Sequence, residues 1–346
     1  MIDNNTIEKS HEDLSKQDFV SDQMVKWCPG CGAHAILASV ANVFPIIGYK
    51  KESFCMVSGI GCSSRFPYYV NTYGFHGIHG RANAIASGVK IANPHLSVWI
   101  ATGDGDSMAI GGNHFIHIIR RNIDVNIMLF NNQIYGLTKG QYSPTTPMGT
   151  VTKTSPQGTI EHPFNPANLV LGAQGTFFAR VVDTRPTLMT EVMYEAAKHD
   201  GTSVVEILQN CVIFADKVHD NITSKEHKDD NQLVLKNGKP MIFGKDRNKG
   251  IIFKDSILQA VTIGENGYTI KDILVHDQYQ KDPGIHRMLA RMSPNRGGLP
   301  IALGVIRSAA YPTYDDMVVE QIEYAKANSP IKCVDDLLNS GDTWDI

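Results

Sequence analysis

Two apolar runs, 96–102 (LSVWIAT) and 125–130 (VNIMLF), end at Gly103-Asp104-Gly105-Asp106 and at Asn131-Asn132 respectively, with a helical span near 109–121 between them. Short apolar, β-branched strands alternating with helices of about a dozen residues form βαβ units around a parallel sheet. The alternation continues on both sides, with strands at 53–61, 175–182 and 202–208 and helices at 33–44, 79–92 and 186–200. The expectation is an α/β fold over residues 25–215, a mostly parallel sheet flanked by helices. The Thr-, Pro- and Gly-rich stretch from 131 to about 168 is expected to be an ordered active-site loop. Residues 1–24, polar and mixed in charge, are expected to be a loosely attached tail. Residues 216–250 are charged and contain the turn Asn237-Gly238. Periodicity is weak beyond them, so 216–346 is expected to be a C-terminal extension.

A chain of 346 residues can bury a full core, and its net charge of −3 gives no reason to expect a nucleic-acid partner. No apolar run approaches the ~18 residues that span a bilayer. The N-terminus lacks the basic start and apolar stretch of a secretory signal. A cytoplasmic protein with no membrane partner is expected. In that compartment six cysteines point to metal or redox chemistry rather than disulfides.

Ligands of open parallel sheets bind beyond the carboxyl ends of the strands. Asp104 and Asn132, each directly following its strand, are therefore expected on one edge. Gly103 and Gly105 let the backbone turn sharply and approach a ligand, and the helix that follows points free N–H groups at a diphosphate. Magnesium takes near-octahedral oxygen ligands, commonly one or two from protein together with phosphates. The Asp104 carboxylate, the Asn132 amide oxygen and the Ile134 carbonyl would supply the protein's share. Asp106 is counted with this cofactor cradle as a turn or helix-cap residue, and Asn131 as support for the loop. An ordinary strand-to-loop turn explains Gly-Asp-Gly alone, but not the Asn pair at the next strand end.

Cys28-Pro29-Gly30-Cys31 opens the first helix, Cys62 follows Gly59-Ile60-Gly61, and Cys211 follows the strand at 202–208. Cys62 and Cys211 thus fall on the edge expected for Asp104 and Asn132. Four thiolates bind a 4Fe–4S cluster or a zinc ion, and a lone CxxC also reads as a redox pair. Cys55, inside an apolar strand, reads as core. Cys333, with no thiol neighbour in sequence, reads as structural. Trp27 beside the CxxC either shields the thiols from water or anchors the tail.

Taken together, WCPGCG (27–32), GIGCSS (59–64), HGRA (79–82), GDGDSMAIGGNHFIHIIRRN (103–122), NNQIYGLTKGQ (131–141) and Cys211 resemble the β subunit of 2-oxoacid:ferredoxin oxidoreductases, over at least residues 26–215. Ser63-Ser64-Arg65 and GFHGIHGRA (74–82) look like the 2-oxoglutarate-type members. The resemblance implies a thiamine diphosphate-binding fold, Mg2+, a 4Fe–4S cluster on Cys28, Cys31, Cys62 and Cys211, and Ser63 beside the cofactor. It implies oxidative decarboxylation of a 2-oxo acid, 2-oxoglutarate in the first instance, to acyl-CoA and CO2 with reduction of ferredoxin. It further implies an α partner that carries the pyrimidine-binding domain and its activating glutamate and helps bind coenzyme A. An αβ or (αβ)2 assembly, inactive without the partner, is expected.

Within that chemistry Lys139 is expected to hold the substrate carboxylate or a developing oxyanion. Arg65 is expected to grip a distal carboxylate bidentately, with a surface or interface ion pair as the equal alternative. His76 and His79 flank Gly77-Ile78 and are candidates for the diphosphate or the reacting carbon, against packing or capping roles. His114 and His117, without a carboxylate on their face, read as packing. Two rival functions remain. A non-redox thiamine decarboxylase or carboligase leaves the cysteines idle, and a zinc-stabilised interaction subunit leaves the Gly-Asp-Gly turn idle.

Overall fold

The computed structural model describes residues 7–344 other than Glu12 and Arg296. Strands β1 (Phe54–Ser58), β2 (Tyr73–His76), β3 (Ser97–Gly103) and β4 (Asn126–Asn131) come first. A small hairpin, β5 (Ile134–Tyr135) and β6 (Gln141–Tyr142), precedes β7 (Phe177–Val182) and β8 (Ser203–Leu208). Then follow β9 (Gln232–Val234), a meander of β10 (Ile242–Phe243), β11 (Lys249–Lys254) and β12 (Ile257–Thr262), and finally β13 (Ile301–Ser308).

Eight strands form one sheet in the order β2-β1-β3-β4-β8-β7-β13-β9. The pairings are parallel except that of β13 with β7. The inner strands are buried throughout because both faces are covered, and this is why they read as unbroken apolar runs. Alternate side chains go to opposite cores: Met56, Trp99 and Met128 to one, Val57, Ile100 and Ile127 to the other. Helices α1 (Ala33–Ile47) and α6 (Pro186–Ala197) cover the first face. After a short turn of helix, α2 (Phe66–Tyr69), helices α3 (Ala82–Ala92), α4 (Gly112–Arg121) and α5 (Pro166–Gly172) cover the second.

Helix α1 runs one turn past the expected end. Pro45 is carried in its last turn, and Gly48, at φ 75°, closes it by donating its N–H to the Phe44 carbonyl. The helix after Asp104 begins as a π turn, Asp106–Ile110, before becoming regular as α4. Such widened turns recur at functional sites.

Two expected boundaries are corrected. The first six residues of the expected tail and Glu12 lie outside the described residues, but the segment around Phe19 is docked. Phe19 is fully buried, edge-on to Phe44 and Phe54 with ring centroids 5.4 and 5.5 Å away, and Val20 bridges Val70. The segment after 215 is no appendage either. Strand β13 lies between β7 and β9 in the main sheet, and Phe243, Ile251, Leu258 and Ile306 share the core of Val57 and Ile100. Among the described residues no helix is long and apolar enough to cross a membrane.

Candidate active site

Four neighbouring parallel strands, β1, β3, β4 and β8, end on one edge. Asp104 follows β3 directly and Asn132 follows β4 directly. Cys62 lies just beyond β1, and Cys211 just beyond β8. Distant stretches of sequence meet here because parallel strands deliver their carboxyl ends together.

Asp104 is 2% exposed, and the hydroxyls of Ser143 and Thr145 donate to its Oδ2, both at 2.5 Å. Burial pushes this carboxyl above the usual carboxylate range, while the two hydroxyls and the Gly105 N–H pull it back. No lysine, arginine or histidine pairs with it among the described residues. A buried carboxylate with neutral partners alone is poorly compensated, and a divalent cation would supply the missing charge. The Asn132 Oδ1 accepts the Ile134 N–H at 3.2 Å, which places that amide oxygen beside Ile134. One carboxylate with neutral oxygens is a donor set that suits magnesium. Ser143 and Thr145 escaped sequence reading; the hydroxyl-rich run Ser143–Thr146 was their only signal.

The turn itself is shaped by contact. A Cβ on Gly105 would stand 2.1 Å from the Tyr135 ring, so only bare backbone fits there. The Tyr135 hydroxyl donates to the Gly105 carbonyl at 3.2 Å. Burial, then the charges of Asp104 and Asp106, push this phenol up to about 12, so it remains a donor. Ser63 is brought alongside: its Oγ lies 3.6 Å from where a Cβ on Gly103 would stand.

Asp106, expected among the cofactor residues, uses both oxygens within the protein. Its Oδ1 accepts from the Ile60 N–H (3.0 Å), the Gly80 N–H (2.7 Å) and His79 Nδ1 (2.6 Å), and its Oδ2 from Thr102 (2.7 Å). This one carboxylate ties together the loops after β1, β2 and β3. A Cβ on Gly59 would lie 2.1 Å from Asp106 Oδ2, hence glycine there. His79 is thereby oriented, with Nδ1 toward the carboxylate and Nε2 on the half-exposed side.

Arg65 and His76 line one cleft of about 400 Å³, together with Lys26, Tyr68 and Leu137. Tyr68 stands edge-on to His76 at 5.3 Å. Lys139 is elsewhere. It occupies the turn of the β5–β6 hairpin at φ 75°, exposed, and Leu137 rather than Lys139 reaches the cleft. The loop holding it is too short to bring both residues inward.

The cysteines converge on the same edge. Cys62 Sγ and Cys211 Sγ each lie 3.6 Å from where a Cβ on Gly136 would stand. Burial, then the neighbouring Cys31, Cys211 and Cys28, push the Cys62 thiol up to about 11; burial, then Cys211, Cys28 and Asp183, raise Cys31. Cys31 and Cys62 are thus each within electrostatic reach of the other three thiols. Yet among the described residues no group of three or more His, Cys, Asp and Glu is gathered tightly enough for a single metal ion. The Gly32 N–H donates to the Asn210 carbonyl at 3.4 Å, joining the CxxC turn to the Cys211 loop. Trp27 serves as an anchor, its indole N–H donating to the Cys62 carbonyl at 2.7 Å. Gln209 joins the two centres: its amide nitrogen lies 3.5 Å from Cys31 Sγ, and its oxygen accepts from Asn132 Nδ2 at 3.3 Å. Cys55 is buried as expected, and Cys333 is exposed at the start of a short helix, far from any thiol partner in sequence.

Comparison with known proteins identifies the family of the chain. Residues 59–207 match the family model of the thiamine pyrophosphate enzyme, C-terminal TPP binding domain. The chain is 46% identical over 332 residues to the 2-oxoglutarate oxidoreductase subunit KorB of Mycobacterium tuberculosis, covering 95% of this chain and 88% of that protein. It is 44% identical to the 2-oxoglutarate synthase subunit KorB of Archaeoglobus fulgidus over 56% of this chain and 73% of the other. Its fold matches a chain of the 2-oxoglutarate:ferredoxin oxidoreductase from Magnetococcus marinus, solved with 2-oxoglutarate, coenzyme A and succinyl-CoA bound. That match has a TM-score of 0.78 and 30% identity, over 98% of this chain and 100% of the other. The chain belongs to the family of 2-oxoacid:ferredoxin oxidoreductase β subunits and carries its thiamine-binding domain.

Proposed function

We propose that this chain is the thiamine-binding subunit of an enzyme that oxidatively decarboxylates 2-oxoglutarate to succinyl-CoA and CO2, passing electrons to ferredoxin. One observation carries the reading. Gln209 touches both Cys31 and Asn132, so a diphosphate site and a four-thiol site adjoin on one sheet edge. The rival functions each leave one of these sites unused.

Asp104, Asn132 and the Ile134 carbonyl hold Mg2+. Gly103, Gly105 and Ser63 receive the diphosphate, and Asp106 holds the surrounding loops in register. Thiamine diphosphate, when bound, supplies the electron sink for decarboxylation. Cys28, Cys31, Cys62 and Cys211 would hold a 4Fe–4S cluster, which would supply a single-electron acceptor. Arg65 takes the distal carboxylate of the substrate in a cleft whose positive charge Lys26 reinforces. His76 borders that cleft, and His79 presents Nε2 toward the cofactor with Asp106 fixing its tautomer. Lys139, exposed on the β5–β6 turn outside the cleft, acts on the substrate's other carboxylate or on a developing oxyanion. The partner supplies the pyrimidine-binding domain.

The test is anaerobic purification of the complex with its α partner. Iron near four per chain with broad visible absorption is expected, and one zinc per chain without iron overturns the redox reading. Asp104→Ala should weaken magnesium-dependent thiamine diphosphate binding at least about tenfold and leave the visible spectrum unchanged. Normal cofactor binding in that variant removes Asp104 from the ligand set.

A further inference from the structure

On the sheet edge opposite Asp104 lies a cavity of about 480 Å³. It is walled by the end of α4, the stretch before β7, residues 281–287 (a loop that runs into the helix Gly284–Ala290) and the stretch after β13. Arg120, Arg121, Lys281, Arg287 and Arg307 all line it, and no aspartate or glutamate does. None of the five cations is in an ion pair among the described residues.

Arg307 is the telling member, at 4% exposure. Its guanidinium donates to the carbonyls of Gly175 (3.2 Å), Gln280 (2.8 Å) and Lys281 (3.0 Å) and to Nδ1 of His286 (3.1 Å). His286 is held neutral by burial, and its Nε2 donates to the Asp277 carbonyl at 2.8 Å. Tyr311 is a further hydrogen-bond partner and Asp282 favours the charge through space, but no carboxylate forms an ion pair with Arg307 among the described residues. The carboxylate of Asp282 is exposed and caps the Gly284 N–H at 2.7 Å. The molecule's other buried arginine on the sheet, Arg180, is paired with Glu206 at 2.6 Å. Buried charges are ordinarily paired. Here one is left facing a cavity, and four more cations of the same sign surround it, a geometry that focuses positive potential.

We propose that this cavity binds a small polyanion bearing two or more phosphate groups, of the nucleoside di- or triphosphate class. Guanidinium forks match phosphate oxygens, and the volume falls in the range of small-molecule sites, roughly 300–1,000 Å³. Tyr311 and Pro312 also line the cavity and supply apolar surface for the rest of such a ligand. Asn122 keeps this floor rigid by donating to the Tyr311 and Pro312 carbonyls while accepting from Thr176. A strand of six residues, about 20 Å, separates the cavity from the diphosphate turn. Its ligand therefore binds without competing with the cofactor.

The test is calorimetric titration of ATP into the complex of the full chain with its partner, presaturated with magnesium and thiamine diphosphate. Saturable binding is expected that pyrophosphate displaces, that adenosine and citrate do not match, and that salt weakens. The double variant Arg120→Ala/Arg121→Ala, and separately Arg287→Ala, should weaken it at least about tenfold. These side chains are on the surface, so unchanged circular dichroism is expected. ATP binding should also persist in Asp104→Ala, which separates this site from the cofactor turn. Absence of saturable ATP binding overturns the proposal. So does ATP binding undiminished in the arginine variants, binding lost in Asp104→Ala, or citrate binding as tightly as ATP.

Discussion

Residues 54–208 and residues 232–308 build one sheet under different rules. In the first stretch the strands run parallel, and short crossovers bring Cys62, Asp104, Asn132 and Cys211 to one edge. In the second, β13 runs antiparallel to β7, with a bulge between Val305 and Arg307. It joins the sheet between β7 and the edge strand β9 and carries none of the motifs. The two also treat buried charge differently. Arg180 of β7 has a carboxylate partner, whereas Arg307 of β13 has neutral acceptors only. The lesson is that chemistry concentrates where parallel strand ends coincide, and the remaining strands supply cover and pins.

Deleting residues 216–346 breaks this comparison most severely. It unpairs the β7 edge, and the truncated chain is expected to be insoluble on expression. A soluble truncation with cooperative unfolding would make the C-terminal region an independent unit. Next in size is Glu206→Leu. Glu206 receives Arg180 and also Asn131 Nδ2, at 2.7 Å, and Thr145 donates onward to Asn131 or Asp104. Leaving Arg180 buried and unpaired should cost about 3–5 kcal/mol, read from urea unfolding. Thiamine diphosphate affinity should fall with it, because the Asn131–Thr145 link to Asp104 loosens.

A third test probes the seam between the two regions. His199 contacts Thr176 Oγ1 at 2.9 Å and Ser308 Oγ at 3.5 Å, and burial lowers its pKa from 6.5 to about 4. The unfolded chain takes up a proton there before the folded one does. This contribution is therefore complete above pH about 6.5 and is lost as pH falls toward about 4. The loss amounts to at most ~3 kcal/mol, and His199→Gln should flatten the urea midpoint over that window. Smallest in stability is Gln209→Leu, at about 1 kcal/mol. Removing the amide beside Cys31 should nevertheless shift the reduction potential of a bound cluster, measured by redox titration. An unchanged potential would leave Gln209 as a packing residue.

Legibility in the sequence followed the same division. The runs at 96–102 and 125–130 marked β3 and β4 to within a residue, because strands buried on both faces admit only apolar side chains. Strand β13 is equally buried, yet Gly304 and Arg307 interrupt its run, so periodicity missed it. Phe19 was one aromatic in a polar stretch, and its pocket between Phe44 and Phe54 exists only in three dimensions. Asp104 and Asn132 were readable because each abuts a strand end. Ser143 and Thr145 were not, since the hairpin that folds them back over Asp104 leaves no periodic trace.

Local chemistry therefore determined the βαβ pattern, the Gly-Asp-Gly turn and the thiols, because strand burial and backbone turning act on residues adjacent in the chain. Tertiary structure alone decided that Gln209 touches both centres, that Asp106 turns inward to join three loops, and that Arg307 faces its cavity without a carboxylate. Those outcomes depend on distances between segments brought together only when the sheet is assembled, and hydrogen-bond and charge partners are chosen at that range.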